Sequence, residues 1–232
     1  MAERPYLADS PAIDTASIIR SKRRTVALVI TDDARLVIRA PLYAPANFIQ
    51  RFVDEKKPWI RRKLAEAEAR PKLPARKFAD GEKFLYLGSA YPLSIVDAAD
   101  NVFLFDEGFY LSRLHYGSAR ELFTGWYRER AFTEIKGRLD RYSALSALRY
   151  DKFNITGARS KWGSCAGRGN LRFSWRLIMA PLHVIDYVVV HELAHIERKD
   201  HSKHFWSKVS ELFPGYGESR EWLTQNGHLL VW

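Results

Sequence analysis

Cysteine is nearly absent: Cys165 is the only one among 232 residues. One thiol cannot close an internal disulfide, which removes any argument for an oxidising compartment. It also excludes a zinc site built from several thiolates, so histidines must dominate the ligands of any bound metal. Long apolar runs are missing too. Residues 26–30 and 187–190 are interrupted by polar neighbours well before the roughly 20 residues that a membrane-spanning helix needs. Residues 1–6 carry a glutamate, an arginine and a proline with no apolar stretch of signal-peptide length behind them. The expectation is a soluble, cytoplasmic protein.

Acidic residues are in deficit, 27 against 37 Lys plus Arg, which leaves a formal charge of +10. Residues 151–232 hold 11 Lys plus Arg against 8 Asp plus Glu, or +3, so the other +7 lies in residues 1–150. An excess of this sign favours anionic partners such as nucleic acid, nucleotides or acidic proteins. A solubilising charged exterior explains the same excess more plainly. With 47% hydrophobic residues the chain has ample material for a packed core, and disorder is not expected.

Hydrophobic periodicity divides the chain. After a loose lead-in over residues 1–20, the segments 25–30 and 35–39 alternate around Asp32-Asp33 and predict a β-hairpin. Over 46–70, apolar residues recur at helical spacing with Pro58 breaking or kinking the run. Residues 72–75 make a connection. Strands are then expected at 83–87, 91–96, 102–105 and 109–111, punctuated by Asp80-Gly81, Gly88-Ser89 and Glu107-Gly108. A long helix over 118–145 is predicted by the stripe Phe123, Tyr127, Ala131, Ile135, Leu139 and Tyr142. Beyond it, strands at 153–156 and 170–175 flank the loop 163–169, with its three glycines. A helix follows Pro181, and another starts near Ser202 and buries Phe205, Trp206, Val209 and Leu212. The expected class is α+β: a mostly β module over 1–117, joined by the long helix to a catalytic domain over 118–232.

The chemistry concentrates in His191-Glu192-Leu193-Ala194-His195. Four residues make about one helical turn, so both imidazoles project from one face and can reach a single ion. Glu192 lies about 100° around the helix, beside that ion, where a carboxylate can take a proton from water that Zn²⁺ has activated. A third ligand must follow, and Asp200-His201-Ser202-Lys203-His204 offers two imidazoles. His201 is preferred, because the chain can turn at Asp200 and return a side chain toward the ion, while His204 falls on the first turn of the next helix. Two surface histidines and a solvated glutamate are disfavoured by the apolar run that would bury this helix.

The segments Arg159-Ser160-Lys161-Trp162-Gly163-Ser164-Cys165, 185–192, and His201-Ser202 followed by Phe205-Trp206 resemble YgjP-like metallopeptidase domains. Lys57-Pro58-Trp59-Ile60, Leu87-Gly88 and Trp126-Tyr127-Arg128 extend the likeness over nearly the whole chain. The resemblance implies a gluzincin-like, zincin-type fold related to the SprT-like proteases, with His191, His195 and His201 as zinc ligands and Glu192 as general base. Ala194 stands where many relatives have Cys, and Ser174 where Asn is expected.

Members of this family are called peptidases by motif, and some are labelled UTP pyrophosphatases, so two substrates suit one metal centre. In the peptidase reading an edge strand near 171–173 aligns the peptide. In the pyrophosphatase reading cations neutralise the phosphates. Arg159, Lys161, Arg172 and Arg176 are the candidate substrate-binding residues. They lie, with Arg168, in a segment free of acidic residues whose glycines let backbone N–H groups approach an anion. A solvated hairpin accounts for these cations equally well. No Walker-type glycine pattern or acidic Mg²⁺ cluster accompanies them. A nucleic-acid-associated protease is a third reading, supported by charge alone. Trp162 is either a wall of the site or a structural plug, Cys165 a loop thiol rather than a nucleophile, and Tyr187 a packing residue before an oxyanion donor. Tyr216 and His228 are within reach of the site only if the C-terminal segment folds back.

Overall fold

The computed structural model describes residues 16–31, 33–69, 75–97, 102–167 and 169–230, and the chain is of the α+β class. It divides into two compact units, 1–73 and 74–232. Residues 1–15 of the lead-in expected over 1–20, the residue Asp32 of the first turn and most of the 72–75 connection lie outside the described residues.

The first unit is a three-stranded sheet with two helices. Strands β1 (Ser17–Ser21), β2 (Ala27–Ile30) and β3 (Leu36–Pro41) are ordered β1-β3-β2, with β1 parallel and β2 antiparallel to β3. β3 alternates as a half-buried strand should: Leu36, Ile38 and Ala40 are buried, against Ile49 and Val53 of helix α1 (Ala46–Glu55) and Ile60 and Leu64 of α2 (Lys57–Glu68). Pro58 lies in the first turn of α2, where its missing N–H costs no helical bond, so of the expected break or kink the chain takes the break, a boundary between two helices. Residues 17–20, the end of the expected loose lead-in, instead form β1 together with Ser21. Its parallel partner lies 20 residues away, and its burial is only partial, so local patterning does not reveal it. Arg20 holds the far end by donating to the carbonyls of Pro41, Leu42 and Ala44.

The second unit contains two sheets and four helices among the described residues. Strands β4 (Lys83–Tyr86), β5 (Ser89–Val96), β6 (Phe103–Phe105) and β7 (Phe109–Ser112) are ordered β4-β5-β7-β6. The predicted long helix is α3 (Ala119–Ser146), ended by Ala147 in the left-handed conformation, and every member of its six-residue stripe is buried. Phe84, Phe103 and Phe109 meet Phe123 of α3 at ring separations of 4.3, 4.6 and 4.9 Å. These strands and α3 therefore share one core with the rest of the unit. The boundary expected at 117 falls inside the second unit, because the β module closes its apolar face against the long helix.

The second sheet is β8 (Lys152–Thr156), β9 (Gly163–Ala166) and β10 (Asn170–Ser174), in the order β8-β10-β9. β10 is parallel to β8 and antiparallel to β9. Residues 171–173 are thus central, not the edge expected of them; the edge strands are β8 and β9, the latter hidden in the glycine-containing loop by its short length. Helix α4 (Leu182–Glu197) packs against α3, β9 and the two helices that follow, α5 (Lys203–Leu212) and α6 (Tyr216–Asn226). No helix among the described residues is long and apolar enough to cross a membrane.

Candidate metal centre

Helix α4 is anchored at its start. Leu87 and Gly88 donate backbone bonds to the carbonyls of Ile178 and Met179, in the turn just before α4. Gly88 has φ +87°, and an added Cβ would lie 2.8 Å from Cγ of Pro181, the N-cap of α4. The turn Leu87-Gly88 thereby fixes where α4 begins and hence where its last two turns present His191, Glu192 and His195.

The helix ends as Arg198 turns extended, and the loop that follows returns His201 to the same face. Asp200 steadies that loop by accepting the Ser202 backbone N–H at 3.1 Å. His201 Nε2 lies 3.2 Å from His191 Nε2, and one ring nitrogen from each of His191, His195 and His201 falls within 4.8 Å of the others. His204, on the first turn of α5, is outside this cluster. Phe205, fully buried, backs all three rings at centroid distances of 4.5–4.9 Å.

The donor set fits a divalent cation. Burial, reinforced by the charges of His195 and His201, pushes the His191 pKa down to about 3, and burial lowers His195 as well. Both rings are held neutral with lone pairs available. His195 Nδ1 sits 2.8 Å from the Arg198 carbonyl oxygen, a contact that favours the tautomer with its proton on Nδ1 and frees Nε2 for a metal.

Glu192 is buried beside this cluster. Burial pushes its pKa up to about 7, opposed by the charges of Lys161 and Lys199. Strand β9 presses on the carboxylate: an added Cβ at Gly163 would lie 2.5 Å from Glu192 Cγ and 2.6 Å from Oε1. Glycine at 163 is what lets the carboxylate occupy the space between α4 and the edge strand. Sequence reasoning missed this role, although Gly163 stands in the Lys161-Trp162-Gly163 run that drew notice. It also missed Lys199, which donates to Cys165 Sγ at 3.2 Å.

The four candidate substrate-binding residues occupy different settings, although the charge of Arg159 reaches Arg176 and, after burial, helps lower its pKa. Lys161 is exposed and acts on Glu192 through its charge, whereas Arg159 is exposed in the preceding loop. Arg172 is exposed on β10, between buried Leu171 and Phe173. Arg176 is buried; it donates to the Gly157 carbonyl at 3.0 Å and stacks 4.3 Å over Trp175. Its guanidinium ties a loop to the core, a setting given by the buried turn that follows β10. Arg168 lies outside the described residues. Ser174, where Asn was expected, donates its hydroxyl to the Ala158 carbonyl, and its backbone N–H goes to Trp162. Trp162, half-buried, packs against the C-terminal segment: an added Cβ at Gly227 would meet its ring at 3.2 Å. Tyr187, buried, places its ring 5.8 Å from that of His191, and Tyr216 reaches the site through Trp206, on which it stacks at 5.3 Å.

No curated protein and no solved structure matches the chain. A family model does, and its class implies a metal ion and hydrolysis, in keeping with a histidine cluster that could hold one. With residues 24–226 matched by the model for the YgjP-like, metallopeptidase domain, the chain belongs to that family.

Proposed function

We propose that this protein is a zinc-dependent peptidase in which His191, His195 and His201 hold the metal and Glu192 is the general base. The observation that carries the reading is the convergence of three imidazoles, two of them lowered by burial, beside a buried carboxylate whose pKa is pushed up to about 7. A divalent ion at that point supplies Lewis acidity, polarising the scissile carbonyl and making water acidic enough to deprotonate near neutral pH. Glu192 takes one proton from the attacking water as the new C–O bond forms. It then delivers that proton to the departing amine as the C–N bond breaks. A carboxylate poised near neutrality serves both transfers. The free edge of β9, against which Glu192 lies, offers backbone groups to an extended substrate. Phe205 closes the back of the site to water.

The test is metal content and turnover of purified wild type and Glu192→Gln, with unfolded protein and with nucleoside triphosphates as substrates, with and without chelator. Both proteins should bind about one zinc per chain. Turnover of unfolded protein should fall by about 10²–10⁴-fold in the variant and vanish on chelation. Undiminished turnover in Glu192→Gln would remove the assigned base. Hydrolysis of the nucleotide alone would replace the peptidase by a pyrophosphatase on the same centre.

A further inference from the structure

Beside the histidine cluster a cleft of about 500 Å³ opens between α5 and α6, reaching His201 at one end. Lys203, Trp206, Ser207 and Ser210 line it from α5, a spacing that puts all four on one helical face, opposite the buried Phe205 and Val209. Tyr216 and Arg220, one turn apart on α6, form the facing wall. The lining contains the cations of Lys203 and Arg220, three hydroxyls and no carboxylate. Arg220 is held 4.9 Å over the Trp206 ring, and Trp206 in turn stacks on Tyr216, so the guanidinium is oriented by aromatic faces. Among the described residues neither Lys203 nor Arg220 has a carboxylate partner, although carboxylates pair with many other cations of this chain. The positive end of the α5 dipole lies at Lys203 and adds to the same field.

We propose that this cleft is a substrate subsite for an oxyanion, with Lys203 and Arg220 as the recognition pair. The enzyme then prefers substrates that carry a carboxylate or a phosphoryl group next to the bond it cleaves. The inference rests on the hydrolase reading for the identity of the neighbouring histidines, but the subsite itself binds without turnover. Guanidinium and ammonium donors suit either oxyanion, the former in bidentate fashion. Ser207 and Ser210 supply hydroxyls for the remaining oxygens.

The experiment uses full-length, zinc-loaded Glu192→Gln protein, which holds substrate without cleaving it, and calorimetric titration with three probes. These are inorganic tripolyphosphate, a hexapeptide with a free C-terminal carboxylate, and the same peptide as its C-terminal amide. Lys203→Gln and Arg220→Gln are added singly and together, and Lys208→Gln, on α5 outside the cleft and paired with Glu211, serves as the charge control. The double substitution should weaken at least one anionic probe by about tenfold or more, with the amide and the Lys208→Gln protein unaffected. Loss confined to tripolyphosphate identifies a phosphoryl subsite, and loss confined to the free-acid peptide identifies a carboxylate subsite. Equal affinity of all the proteins for both anions would overturn the proposal, as would an equal loss in Lys208→Gln, which marks mere surface charge. Zinc content measured on the same samples reports separately on the hydrolase reading.

Discussion

A carboxylate acid–base group needs two things that oppose each other: removal from water, to raise its pKa toward neutrality, and freedom to reach a reacting proton. At Glu192 both come from one neighbour without a side chain. Gly163 brings the β9 backbone close enough to desolvate the carboxylate, and a methyl group there would lie within 2.6 Å of Oε1 and Cγ. Gly163→Ala should therefore either push Glu192 aside or open the strand, destabilising the fold by about 1–3 kcal/mol. Zinc content should stay at the wild-type level while turnover drops. Denaturant unfolding and metal analysis check this, and normal turnover in a well-folded variant would mean that Glu192 tolerates displacement. The same residue-level logic separates the two candidate third ligands. His201 joins the cluster and His204 does not, so His201→Ala should weaken zinc binding by more than the 10–100-fold that partners outside the ligand set are typically worth. His204→Ala should leave zinc affinity within about threefold of wild type, a margin of under 1 kcal/mol. Competition against a calibrated chelator measures both, and the reverse order would reassign the ligand.

At the scale of elements, what the sequence made legible is what repeats along one segment. The α3 stripe recurs at steps of three or four over the whole helix, and the helix forms where the stripe predicts, because burial of one continuous face dominates its energetics. Phe123 sits where that face meets the aromatic rings of β4, β6 and β7 and is fully buried. Phe123→Ala should cost about 3–5 kcal/mol. Phe132 on the same helix is half exposed and touches Phe153, so Phe132→Ala should cost under about 1 kcal/mol, near the value of one aromatic pair. Paired chemical denaturation curves decide it; equal losses would show that the stripe is not what holds α3. The two-imidazole turn of α4 was legible for the same reason, since its spacing is a property of one helix. What stayed hidden depends on partners far away in sequence: the parallel pairing of β1 with β3, the central place of β10, and the buried setting of Arg176. Alternation says that a strand has two faces but not which strands flank it, and a basic residue such as Arg176 carries no mark of the loop carbonyl it will bind.

For the whole molecule the decisive feature is that there are two cores, not one. The residues buried around Leu36, Ile38, Ile49 and Ile60 all belong to 1–73, whereas the core from Phe78 to Leu230 belongs to 74–232. The candidate metal ligands, Glu192, β9 and the anion-suited cleft are all in the second unit. A segment that owns its core, and whose sheets close within it, meets the requirement for folding independently. The fragment 74–232 should therefore unfold in one cooperative transition and bind zinc with an affinity within about threefold of the full chain, a difference under 1 kcal/mol. The first unit carries 15 Lys plus Arg against 9 Asp plus Glu, or +6 of the total +10. Long-range attraction of polyanions such as nucleic acid should thus weaken sharply in the fragment, while the local anion subsite at Lys203 and Arg220 is kept. Calorimetric unfolding, zinc titration and salt-dependent binding of a DNA duplex, each run on full chain and fragment, test the three statements together. A fragment that aggregates or melts without a cooperative transition would show that residues 1–73 are required to complete the second core.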